Sequence, residues 1–191
     1  MEPYRAPAPP TANNPWIYVG PASSILDISS TPDSKTTKLS TTKPASDSST
    51  DIFASPEITT PCKILQLASS PGSAEAQELT PDAAQNTIGF QPQILVFRYR
   101  GKLHAIDHSC PHRNFPLSRG SVYDIEDFGV VLSSGIECPK HGWSFDLHTG
   151  KSDRGGYQLK IWEVETRSGE NGFGEVEEEV WVRRKEKKRI G

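Results

Sequence analysis

Ile94-Leu-Val-Phe-Arg-Tyr-Arg-Gly-Lys-Leu-His-Ala-Ile106 decides the fold. Two short runs rich in aliphatic and aromatic residues flank Arg100-Gly101, and that pattern predicts a β-hairpin with strands at Ile94–Tyr99 and Lys102–Ile106. Working outward, further strands are expected at Trp16–Val19, Cys62–Leu67, Gly129–Leu132 and Trp143–Leu147. The last pair, Leu159–Val164 with Glu179–Val182, alternates apolar and polar residues, so each arm can lay one face on a core. The chain therefore reads as all-β, built from short antiparallel strands.

Two stretches break the pattern. In residues 27–60 Ser, Thr, Pro, Asp and Lys dominate and no period persists, so a flexible insertion is expected. Residues 69–92 carry Pro71, Gly72, Pro81, Gly89 and Pro92 and read as a second irregular insertion, with one helical turn conceivable at Ala74–Leu79. The expected organisation is an N-terminal tail (1–14), one domain (15–182) and a basic C-terminal tail (183–191).

The hairpin runs directly into Cys110-Pro-His112, and a second segment, Cys138-Pro-Lys-His141, precedes Gly142 and Trp143. Each offers one thiolate and one imidazole. Thiolates suit iron–sulfur chemistry, while imidazole serves zinc, copper or iron equally well. A structural zinc module usually takes like pairs from each half, whereas here each half supplies one of each; iron–sulfur leads, with zinc or uncoordinated core residues as the alternatives. Pro111 and Pro139 fix φ and remove an N–H, which suits stiff ligand loops. Gly142 permits a backbone geometry or close approach that a side chain would block.

The runs Cys-Pro-His-Arg-Asn-Phe-Pro-Leu (110–117) and Cys-Pro-Lys-His-Gly-Trp-Ser-Phe-Asp (138–146) resemble the cluster-binding loops of soluble Rieske-type ferredoxins. The resemblance implies a Rieske fold, an antiparallel β-sandwich-like base with a two-loop tip. It also implies one [2Fe–2S] cluster per chain, with Cys110 and Cys138 on one iron and His112 and His141 on the other. One departure is the 25-residue separation of His112 and Cys138, longer than usual, with the extra length expected as a polar excursion at Tyr123–Phe128. High-potential, membrane-anchored Rieske proteins add a disulfide and cluster-facing Ser and Tyr hydroxyls. This chain has Phe115, Lys140, Trp143 and Phe145 at the matching places, which implies a lower potential.

Composition bounds the rest. The chain has 191 residues, a net charge of −3 and 34% hydrophobic residues, room for one domain with long loops. Three cysteines leave only Cys62 beyond the ligand pair, so no disulfide framework is expected and Cys62 reads as a small buried hydrophobe. His104, His108 and His148 are expected to be structural or solvated. No apolar run is long enough to span a bilayer, and Met1–Pro15 lacks a secretory core; a cytoplasmic protein is expected, with a nuclear address from the basic tail as the minority reading. The small net charge gives no reason to expect a nucleic-acid partner.

A ligand-saturated cluster leaves no vacant position for substrate, so the expected function is one-electron transfer from a reductase, by family a flavin-containing one, to an oxygenase or other acceptor. Fifty residues follow His141 and hold a single histidine, so a second, mononuclear iron site is not expected there. A redox-sensing interaction module and a zinc-stabilised binding domain are the competing readings.

Overall fold

The computed structural model describes residues 14–28, 36–39, 61–68, 73–170 and 176–185. In chain order these form β1 (Ile17–Pro21), β2 (Thr36–Lys38), β3 (Cys62–Leu67), β4 (Ala76–Leu79), α1 (Pro81–Thr87), β5 (Gln93–Tyr99), β6 (Lys102–Asp107), β7 (Ser121–Asp127), β8 (Val130–Cys138), β9 (Trp143–Asp146), β10 (Trp162–Glu170) and β11 (Val176–Arg184). The strands make three sheets, ordered β1-β11-β10, β2-β7-β8-β9 and β4-β3-β5-β6, and every strand pairing within them is antiparallel. The all-β expectation holds. Among the described residues no helix is long and apolar enough to cross a membrane.

The hairpin of β5 and β6 turns where the sequence places it, with Arg100 at φ 49° and Gly101 at φ 73°. Two successive left-handed residues match the twist of the flanking strands. β5 lies between β3 and β6 and both its faces are covered. Ile94 and Val96 pack with Ile17, Val19, Val180 and Val182 toward the sheet of β1, β10 and β11. Leu95, Phe97 and Tyr99 join Leu117, Val122, Ile136 and Phe145 on the other side. This is why β5 reads as a continuous apolar run instead of an alternating one. With both faces apolar, alternation cannot set register, and the Arg100-Gly101 turn does so instead.

Three sequence expectations need correction. The stretch 27–60 is not wholly irregular: β2 pairs with β7, and Leu39 beyond it is fully buried, with its N–H donated to the Gly120 carbonyl. A Thr-rich strand at a sheet edge has no apolar period to reveal it. Residues 29–35 and 40–60 lie outside the described residues. Within 69–92, β4 pairs with β3, and α1 follows with Thr80 as its N-cap and Pro81 in its first turn; no helical turn forms at Ala74–Leu79. The Thr-Pro-Asp start is a helix signal that the scattered prolines obscured.

The third correction concerns Tyr123–Phe128. These residues are no loop, since β7 and β8 form a long hairpin paired from Ser121↔Glu137 to Asp127↔Val130. Phe128 at φ 48° and Gly129 at φ 77° make the turn. The extra residues between the two Cys/His segments therefore lengthen a ladder, and β8 ends on Cys138 itself.

Candidate metal centre

The two Cys/His segments sit at the ends of strands. Residues 109–116 follow β6, and residues 138–142 join β8 to β9. Both build the same turn. The Cys110 carbonyl accepts the Asn114 N–H at 2.8 Å, and the Cys138 carbonyl accepts the Gly142 N–H at 2.9 Å. Asn114 has φ 48° and Gly142 φ 65°, so each turn closes on a left-handed residue. Inside each turn the prolines withdraw one donor while the next two N–H groups face the sulfur: those of His112 and Arg113 toward Cys110, and those of Lys140 and His141 toward Cys138.

Cys110 and Cys138 are each 1% exposed and unbridged, and they join the same apolar cluster as Ile136, Phe145 and Leu147. The interaction of the two thiols, with the His112 and Arg113 N–H groups, lowers the Cys110 pKa against the opposing effect of burial. The same interaction, with burial, raises Cys138. Four backbone donors aimed at two sulfurs make a setting that stabilises thiolate charge.

The imidazoles meet at the outer end. His112 and His141 stand 5.0 Å apart between ring centroids at 72°, His112 half-buried and His141 exposed. Burial, then the charges of His141, Arg113, Lys140 and Arg154, lower the His112 pKa, which favours the neutral, ligating form. Nδ1 of His112 is buried and has no hydrogen-bond partner. An orphaned imidazole nitrogen beside two buried thiols is the donor set of a mixed Cys/His iron–sulfur site. Among the described residues no three His, Cys, Asp or Glu side chains gather closely enough to hold one ion. The donors come as a thiol pair and an imidazole pair, the arrangement that suits a two-iron cluster.

A third loop, residues 151–158, closes over the histidines, and the sequence reading missed it. Tyr157 packs its ring at 5.2 Å from His112 and 4.9 Å from Trp143. Arg154 lies 5.0 Å over the Trp143 ring and donates to the carbonyls of His141 and Gly142. Gly155-Gly156 marks a turn, but nothing local ties it to loops beginning at Ser109 and Cys138.

Behind the first segment, His108 is fully buried between Gln93 Oε1 at 2.7 Å and Ser118 Oγ at 2.9 Å. The Gln93 amide nitrogen donates to the Ala84 carbonyl and Thr87 Oγ1, so its oxygen faces His108 and accepts from Nδ1–H. Nε2 then accepts from the Ser118 hydroxyl. Burial holds His108 down to about 4, so it is neutral and structural, as expected. His148 is exposed in a turn and His104 is stacked on Phe97 at 5.5 Å. Cys62 is buried on β3, away from the two segments in sequence and paired opposite Phe97.

The family described as the Rieske [2Fe-2S] domain matches residues 72–162, a span holding both Cys/His segments and the third loop. Over that span the chain is similar to a Rieske [2Fe–2S] domain. The Rieske domain binds a [2Fe–2S] cluster, and the thiol and imidazole pairs described above fit one. Over 75 residues the chain is 35% identical to the ferredoxin subunit of 3-phenylpropionate/cinnamic acid dioxygenase from Photorhabdus laumondii, covering 39% of this chain and 64% of that protein. It is 34% identical over 84 residues to cholesterol 7-desaturase nvd of Xenopus laevis, 44% of this chain and 17% of the relative. Against 4beta-methylsterol monooxygenase of Methylococcus capsulatus it is 41% identical over 69 residues, 36% and 16% of the two chains. The chain thus spans under two thirds of each relative's length. The Rieske match leaves out β1, β2, β3, β11 and all of β10 but Trp162, yet β3 is hydrogen-bonded to β5 and β4 within it.

Proposed function

We propose that Cys110, His112, Cys138 and His141 ligate the [2Fe–2S] cluster, and that the chain is a one-electron carrier between a reductase and an oxygenase or other terminal acceptor. The observation that carries the reading is the asymmetric burial of the four donors. The thiols lie inside the apolar core while His141 stands at the surface, so the imidazole side is the short path to a partner. The bound cluster supplies reversible one-electron chemistry at a site with no vacant position for substrate. The protein's part is to hold the thiolates with four N–H donors, keep His112 neutral, and pack Tyr157 and Trp143 against the His112 ring.

An oxygenase as acceptor is supported by the relatives named as dioxygenase ferredoxin subunits. A flavin-containing reductase as donor follows from the same family habit. Three unbridged cysteines suit a reducing compartment, in keeping with a cytoplasmic location.

Anaerobically prepared protein should hold about two irons and two labile sulfides per chain and give a Rieske EPR signal. Cys110→Ser and Cys138→Ser should abolish both, while Cys62→Ser leaves them intact. Full cluster content in either ligand variant overturns the assignment, and a cluster that cannot be cycled by any reductase overturns the carrier reading.

A further inference from the structure

We infer that the imidazole end of the molecule is a cationic docking face for an acidic protein surface, the electron-transfer partner's. This rests on the carrier reading above and names the chemistry of the partner it requires. The three loops that meet at His112 and His141 carry Arg113, Lys140, Lys151 and Arg154 and a single acid, Asp153, against −3 for the whole chain. All four cations are exposed. A positive end on a negative molecule orients an approaching partner as well as attracting it.

Two of the cations are held in place. Arg154 is fixed by the His141 and Gly142 carbonyls and by the Trp143 face. Lys140, next to His141, lies 5.7 Å over the Phe115 ring. Arg113 adjoins His112, and its charge, with those of Lys140 and Arg154, is felt at that imidazole. Asp153 ion-pairs with Arg154 at 3.7 Å while both remain exposed, so it offsets one cation only in part. Glu137 is exposed but precedes Cys138 on β8, and alternation points it away from the side on which Cys138 is buried. A nucleic acid fits less well, because four cations on a chain of net negative charge make too small a basic patch.

The test uses the cluster-loaded full chain, reduced, with hexacyanoferrate(III) and hexaamminecobalt(III) as one-electron oxidants of opposite charge. In each case one electron leaves the protein by outer-sphere transfer and reduces the oxidant's metal from +3 to +2; hexacyanoferrate keeps its ligands, while the cobalt(II) product then exchanges its ammonia for water. The whole-chain charge predicts a hexacyanoferrate rate that rises with ionic strength; the docking face predicts one that falls, with the cobalt complex behaving oppositely. Arg113→Glu with Lys140→Glu should slow hexacyanoferrate roughly tenfold at low salt and invert its salt dependence. Lys102→Glu, half that charge change at the far end of β6, should leave that salt dependence falling. Poly-L-glutamate should slow the wild-type hexacyanoferrate reaction.

A loaded wild type whose hexacyanoferrate rate rises with salt, or a Lys102→Glu effect equal to that of the double variant, overturns the docking face alone. Tighter binding of a DNA duplex than of poly-L-glutamate at physiological salt overturns the choice of a protein surface. A chain that loads no cluster overturns the carrier reading beneath it.

Discussion

Asn114 and Gly142 hold the same place in two separate loops, each four residues after a buried cysteine, each donating its N–H to that cysteine's carbonyl, and each in the left-handed region. The turns match while the histidines do not: His112 stands two residues after its cysteine and His141 three. One scaffold thus aims two sulfurs alike and sends the two rings toward each other. Left-handed φ costs roughly 1–2 kcal/mol for a residue with a Cβ, and Asn bears it better than most. Gly142→Ala should therefore lower stability by about that amount and reduce cluster retention, while Asn114→Gly should retain the cluster. Thermal melts and iron content of both variants check this; equal losses would show that the turns are not equivalent.

The His108 bridge ties α1 to the first Cys/His segment through Gln93, and its own backbone N–H is donated to the Gln93 carbonyl. His108→Ala should cost about 2–4 kcal/mol, since it opens a cavity and strands Gln93 Oε1 and Ser118 Oγ in a dry site. Denaturant unfolding measures it. A loss below about 1 kcal/mol would mean that the bridge is replaced by water at no cost.

His104 sets a pH dependence. Its Nε2 is buried without a partner, and burial, helped by Lys102, lowers it from 6.5 to about 4. The folded pKa of this base is depressed, so its contribution is present above pH 6.5 and lost as pH falls toward 4. Between pH 6.5 and 5 the wild type should lose about 2 kcal/mol through this group. His104→Phe, which keeps a ring against Phe97, should remove its share of that slope and leave the similar share of His108, also held down to about 4. Unfolding free energies of both proteins at the two pH values decide it, and parallel slopes would place the titration elsewhere.

Tyr157 covers the His112 edge, and Phe115 and Phe145 bring no hydroxyl to the site. With few donors beyond the backbone, the potential should lie toward the low end of the roughly −150 to +300 mV Rieske range. Tyr157→Ala admits water beside His112, favouring the more negative reduced state, so the potential should rise. Tyr157→Phe should leave it nearly unchanged because the ring is retained. Voltammetry reads both, and a wild-type value near the upper end would contradict the argument.

The sequence by itself determined what depends on neighbours along the chain. The Arg100-Gly101 turn, the apolar run of β5 and the two Cys-Pro segments are local, since backbone preference, periodicity and ligand chemistry are written in consecutive residues. The tertiary structure alone decided what depends on partners far apart. Thr36–Lys38 is a strand only because β7 offers its edge, and Tyr123–Phe128 belongs to a hairpin because β8 supplies its ladder. Arg154 and Tyr157 reach the histidines from a glycine-rich loop with no signal of its own, and Gln93 meets His108 across 15 residues. Edge pairing, ring contacts and buried hydrogen bonds are made between segments whose spacing carries no period, so only the packed chain brings them together.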